Sequence, residues 1–179
     1  FPDLSPPGTD ILWFENQGNG NFSNGNLVIN TNAVKSIDSD DLNNDGHYDI
    51  AYCTSSVLSY GINSGAGNFT FQIISPSLNL GGSSVCMGDV NNDGYNDIVA
   101  TINLSGQTYE EVRWFPNDST GNFSTGYIID TLSGFGRGLY LRDMNNDGLK
   151  DLFISNGFLF FNAIFSSSSK TSPLLLVIL

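Results

Sequence analysis

The sequence predicts an all-β fold assembled from repeated four-stranded antiparallel units, and three observations carry that prediction. A ten-residue acidic phrase occurs three times: DLNNDGHYDI from Asp41, DVNNDGYNDI from Asp89 and DMNNDGLKDL from Asp143. A second phrase keeps step with it, reading WFENQGNGNFS from Trp13, YGINSGAGNFT from Tyr60 and WFPNDSTGNFS from Trp114. No window of helix length shows a 3.6-residue apolar period, so almost no helix is expected.

Within each unit the elements follow in order. A strand (AVKSID, SSVCMGD or GRGLYLRD) runs into the acidic loop. The segments DIAYCTS, DIVATINL and DLFIS leave it; they are short, rich in Ile, Val, Tyr and Phe, and bounded by polar turns. VLSYGIN and EEVRWFPN form the next strand, and after the G-N-F turn FTFQIIS and FSTGYIID form the last. Four short strands per unit of this length is the pattern of a β-propeller blade. The chain divides into an N-terminal extension (1–9), a half blade (10–30), a first repeat (31–76, acidic loop 41–49) and a second repeat (77–130, loop 89–97). A partial third repeat (131–162, loop 143–151) follows, then a Ser-rich link and an apolar C-terminal strand (163–179). About three and a half blades is short of the roughly four to eight of a closed propeller. The array is therefore expected to be open, a fragment of a longer chain, or completed by another chain, because unpaired edge strands must be covered.

The chain has 179 residues, enough for one sizeable core, and only 13% are charged. Ordinary soluble domains carry about 25%. A net charge of −12 argues against nucleic acid, which is held by Lys and Arg on phosphates, and favours cations or a solvated acidic surface. The chain begins at Phe1 and shows no signal-peptide pattern, which reads as a processed or trimmed product. No apolar run reaches the roughly 18–20 residues of a membrane span, and PLLLVIL at the end fits a strand better. Two cysteines, Cys53 and Cys86, match no zinc pattern; they are either two buried thiols or one bridge.

The chemistry lies in the acidic loops. Numbered from the first Asp, oxygen side chains fall at positions 1, 3, 5 and 9: Asp41, Asn43, Asp45 and Asp49; Asp89, Asn91, Asp93 and Asp97; Asp143, Asn145, Asp147 and Asp151. Glycine stands at position 6, where a tight turn needs positive φ. Position 7 is His47, Tyr95 or Leu149, side chains so different that only the backbone carbonyl can serve a common role. Alternating oxygens, a glycine and a carbonyl are what a Ca²⁺ loop requires. Three carboxylates brought together without a cation would repel one another. An EF-hand also needs a Glu at position 12; here Tyr52, Ala100 or Ile154 stands there, so the loop is EF-like but closed at position 9 on a β-hairpin. Three Ca²⁺ ions are expected.

Other residues carry less. His47 is the only histidine, no nucleophile or phosphate loop is evident, and an enzyme is not expected. Trp13, Tyr60 and Trp114 share one repeat position and are expected to pack between blades rather than form a ligand platform. N-x-[ST] sequons occur at Asn21, Asn68, Asn103, Asn117 and Asn122. Asn21, Asn68 and Asn122 share the G-N-F-[ST] turn, an exposed place suited to glycosylation in a secreted protein.

The three D-x-N-N-D-G-x-x-D loops, in register with the G-N-F turns, resemble the FG-GAP/VCBS repeat family, best known from the β-propeller heads of integrin α subunits. The resemblance runs to about residue 162. It implies an extracellular, Ca²⁺-stabilised propeller used in adhesion, carbohydrate binding or assembly. It implies one calcium site per loop, with the carbonyl of His47, Tyr95 or Leu149 among the ligands. It also implies that the strand entering each loop lies innermost, so that adjacent blades could bring Cys53 and Cys86 together. No integrin-type ligand site is evident. The expected function is a calcium-binding structural or adhesive module that assembles with copies of itself, as in a filament, SPLLLVIL adding to a neighbour's edge. The alternatives are a lectin-like module binding glycans and a fragment of a larger adhesin.

Overall fold

The computed structural model describes residues 9–31, 33–75, 84–103, 109–133, 136–156 and 162–165. All regular structure among them is β-strand. The expected N-terminal extension lies almost wholly outside these residues, as does the C-terminal segment beyond Phe165.

Two four-stranded antiparallel sheets form the complete blades. The first runs β5 (Ser36–Asp40), β6 (Asp49–Cys53), β7 (Leu58–Asn63) and β8 (Phe69–Ser75); the second runs β9 (Val85–Gly88), β10 (Asp97–Asn103), β11 (Glu110–Phe115) and β12 (Tyr127–Leu132). A third sheet has β13 (Gly136–Arg142), β14 (Asp151–Asn156) and β15 (Asn162–Phe165). At the other end β1 (Thr9–Trp13) pairs with β4 (Asn26–Thr31), and a small hairpin of β2 (Asn16–Gly18) and β3 (Asn21–Phe22) sits between them. The all-β, propeller-like architecture expected from the repeats is thus present, and among the described residues the sheets do not close on one another.

The sheets stack face to face, and the period-2 alternation of each strand decides which side chain enters which layer. On β6, Ile50 and Tyr52 turn toward β1 and β4, joining Ile11, Val28 and Ile29. Ala51 and Cys53 turn the other way, into a layer shared with Val85, Met87, Ile98, Ala100 and Phe115 of the second blade. Val99 and Cys86 leave the far face and meet Leu139, Leu152 and Ile154 of the third sheet. Second strands are buried on both faces, which is why DIAYC and DIVATIN read as nearly unbroken apolar runs.

The innermost strands are joined by side chains. Val85 N–H donates to Ser36 Oγ at 3.2 Å and Met87 N–H to Asp38 Oδ2 at 2.9 Å. One blade on, Leu139 N–H donates to Ser84 Oγ at 3.0 Å.

Two expectations are corrected here. Cys53 and Cys86 are both buried free thiols. They lie in different layers, because Cys86 follows Val85 on β9 and so points to the opposite face from the one that meets Cys53. The alternative of two buried thiols is the arrangement found. The matched aromatics are not buried alike: Tyr60 is 3% exposed, but Trp13 is 41% exposed.

Candidate metal centre

Each acidic loop joins the first and second strands of a sheet, and the three are built alike. The residue at position 4 (Asn44, Asn92, Asn146) has φ of 59°, 61° and 59°. The glycine at position 6 (Gly46, Gly94, Gly148) has φ of 86°, 90° and 87°. Both positions are left-handed, a region Asn tolerates and Gly enters without strain. This explains the N-N-D-G core of the phrase; the reading from sequence accounted for the glycine and overlooked the second asparagine.

The side chains fold onto the loop backbone. Asp41 accepts the N–H of Asp45 at 3.2 Å and of Gly46 at 2.8 Å. Asn43 Oδ1 also accepts the Asp45 N–H, at 3.1 Å, and its amide donates to Asp45 Oδ2 at 2.9 Å. Asp45 Oδ1 accepts the N–H of His47 at 2.8 Å. The same five bonds recur from Asp89, Asn91 and Asp93, and again from Asp143, Asn145 and Asp147. The residues at position 7 therefore act through their backbone within the loop, and the His47 side chain is exposed. The N–H of His47 and the amide of Asn43 hold the Asp45 carboxyl below the ordinary carboxylate range.

Position 9 is different in kind. Asp49, Asp97 and Asp151 are 0%, 0% and 1% exposed. Asp49 accepts the Leu42 N–H at 2.9 Å and the Asn63 N–H at 2.7 Å. Asp97 accepts the Val90 N–H at 3.1 Å and the Asn117 N–H at 2.8 Å. Burial pushes both carboxyls up, against the pull of those N–H groups. In the two complete blades position 9 thus clamps the loop entrance to the end of the third strand.

Sequence reasoning missed that third-strand residue. Asn117 is 5% exposed; its amide donates to the carbonyls of Leu42 at 2.7 Å and Asn96 at 3.0 Å, tying the first loop to the second. The amides of Asn44 and Asn96 add bonds to the Gly94 and Asp41 carbonyls. The signal was available, since Asn16, Asn63 and Asn117 stand at one place in the second phrase. The glycan candidates Asn21, Asn68 and Asn122 are all exposed, whereas the Asn117 sequon is buried and its amide is committed. Asn103 is half-buried at the end of β10.

Among the described residues no three His, Cys, Asp or Glu side chains are gathered as a metal-holding group. The loop donors are nevertheless all oxygen, as a hard cation requires, and each carboxylate oxygen keeps a second lone pair beyond the N–H it accepts. The donor chemistry fits Ca²⁺.

The family model described as an FG-GAP-like repeat matches residues 41–100, from the start of the first acidic loop into β10 beyond the second. No curated protein matches the sequence.

Proposed function

We propose that this chain, which carries an FG-GAP-like repeat at residues 41–100, is an extracellular calcium-stabilised structural module for adhesion and assembly rather than an enzyme. The observation that carries the reading is the repetition of one hydrogen-bond pattern, with one all-oxygen donor set, in three loops. In the first, Asp41, Asn43, Asp45, the carbonyl of His47 and Asp49 would hold the ion, with the matching positions serving in the other two. Bound Ca²⁺ would supply positive charge among carboxylates that otherwise repel. The chain's own residues do the rest. Positions 1 and 5 shape the loop through its N–H groups, and in the two complete blades position 9 fastens it to the third strand. A loop fixed in this way fixes the register of the first hairpin, and hence which face of each strand enters the core.

The test is thermal unfolding with Ca²⁺ and with a chelator, beside calorimetric titration of the chelated protein. Three Ca²⁺ per chain and a raised melting temperature are expected, because a ligand bound only by the folded state stabilises it. Asp89→Ala should remove one site. A melting temperature that does not respond to Ca²⁺ would overturn the reading.

A further inference from the structure

The first and second acidic loops are tied to each other, and the ties run both ways. The amide of Asn44, at position 4 of the first loop, donates to the Gly94 carbonyl of the second at 3.1 Å. The amide of Asn96, at position 8 of the second loop, donates to the Asp41 carbonyl of the first at 2.9 Å. Asn117 closes the join. Its amide bridges the Leu42 carbonyl at 2.7 Å and the Asn96 carbonyl at 3.0 Å, while its N–H is held by Asp97 Oδ1 at 2.8 Å.

Each of these bonds ends beside an oxygen donor of the calcium set. Asp41 is itself position 1, so its carbonyl and its carboxylate belong to one residue. The Gly94 carbonyl lies between Asp93 and Tyr95, positions 5 and 7 of the second loop. Asp97, which holds Asn117, is position 9. Fixing the backbone of either loop therefore constrains the donors of the other.

The third loop is built alike but stands apart. It has the same five internal bonds, and the same left-handed backbone at Asn146 and Gly148. Asn92 has the backbone of Asn44, φ 61° against 59°, yet among the described residues no side-chain bond joins the second loop to the third. Position 8 of the third loop is Lys150, where the second has Asn96.

We propose that the first and second loops bind Ca²⁺ as a coupled pair, each raising the affinity of the other, while the third binds independently. The inference rests on the calcium reading above and adds how its sites communicate. The physical reason is ordering. A loop of three mutually repelling carboxylates loses conformational freedom when a cation fixes it. Once the first loop is fixed, Asn44 and the Asp41 and Leu42 carbonyls hold the second near one shape, and less freedom remains to be lost. Such coupling is reciprocal, so the second loop helps the first by the same factor. Repulsion between the two ions opposes it only weakly. Three carboxylates against one divalent cation leave each loop net negative after binding, and salt screens what remains.

A site-resolved titration tests this. Ca²⁺ is added to chelated ¹⁵N-labelled protein, and the amide signals of Gly46, Gly94 and Gly148, each donating to a position-1 carboxylate, report the three loops separately. With a coupling of about tenfold, Gly46 and Gly94 should titrate with a Hill coefficient of about 1.5, and Gly148 with one of about 1. Asp41→Ala, which removes a donor from the first loop, should raise the Gly94 midpoint about threefold, the square root of that coupling, and leave Gly148 unmoved. Asn44→Gly combined with Asn96→Ala keeps every carboxylate and the left-handed turn but cuts two of the ties. That protein should show the same threefold rise at Gly46 and Gly94, and adding Asp41→Ala to it should move Gly94 no further. Because it retains the full donor set, it decides the question even where Asp41→Ala fails to fold. A Gly94 midpoint that ignores these changes, or a Gly148 midpoint that moves as far, overturns the proposal and leaves the calcium reading standing. If no glycine signal responds to Ca²⁺, both fall.

Discussion

Substituting the third-strand asparagine by alanine in each copy should produce a graded loss of stability, because one residue type at one repeat position does three different amounts of bonding. Asn117→Ala removes two bonds from its amide, to the carbonyls of Leu42 and Asn96, and two bonds to its oxygen, from the N–H groups of Ser119 and Gly121. A net hydrogen bond is worth about 1 kcal/mol, and a buried group left unpaired costs about 1–3 kcal/mol. The loss should therefore be about 3–4 kcal/mol. Asn63→Ala removes one exposed amide bond, to the Tyr48 carbonyl, and one part-buried bond to its oxygen from Gly65; about 1 kcal/mol is expected. Asn16→Ala removes a single exposed bond from Gly18 and should cost less than about 0.5 kcal/mol in the monomer. Thermal and urea unfolding in excess Ca²⁺ read the series. At about 2–4 °C per kcal/mol for a chain of this size, Asn117→Ala should lower the midpoint by roughly 6–16 °C. Equal losses at all three positions would mean that the asparagine stabilises only its own turn, and would refute the clamp between hairpin and third strand.

Other outcomes follow from the same geometry. Expressed through a secretory pathway, the protein should carry N-glycans at one or more of Asn21, Asn68 and Asn122 and none at Asn117, whose amide is committed in the fold; site-resolved mass spectrometry after enzymatic deglycosylation reads this. Burial pushes the Cys53 thiol up to about 11 and raises Cys86 further. A thiol reagent at pH 8 should therefore label neither cysteine in the native protein and both in urea, and an intact mass showing a bridge would contradict the layer assignment. Asp118 has its carboxyl held low, first by the Thr120 hydroxyl and then by the N–H groups of Thr120 and Asn122. A lowered folded value means that this contribution is present above the unfolded carboxyl value of about 3.9 and is lost as pH falls through the folded one. The stability gap between the wild type and Asp118→Asn should accordingly be full near neutrality and close in acid below that point, as followed by urea unfolding across pH.

The repeat phrases alone determined the strand order within each blade and the three loops. The reason is local: N-N-D-G demands left-handed backbone at two positions, and alternating Ile, Val and Tyr demand sheet. The same locality set limits. That Asp49 and Asp97 reach across to Asn63 and Asn117 depends on strand pairings that no single phrase contains. That Cys53 and Cys86 part company depends on which face of β9 meets the first blade, a choice made by the stacking of whole sheets. Phe115 is buried in the layer that its blade shares with the first blade, whereas Phe14, the same residue at the same repeat position, is 52% exposed among the described residues. Tertiary structure decided these points because burial belongs to the assembly of sheets, and no single repeat contains it.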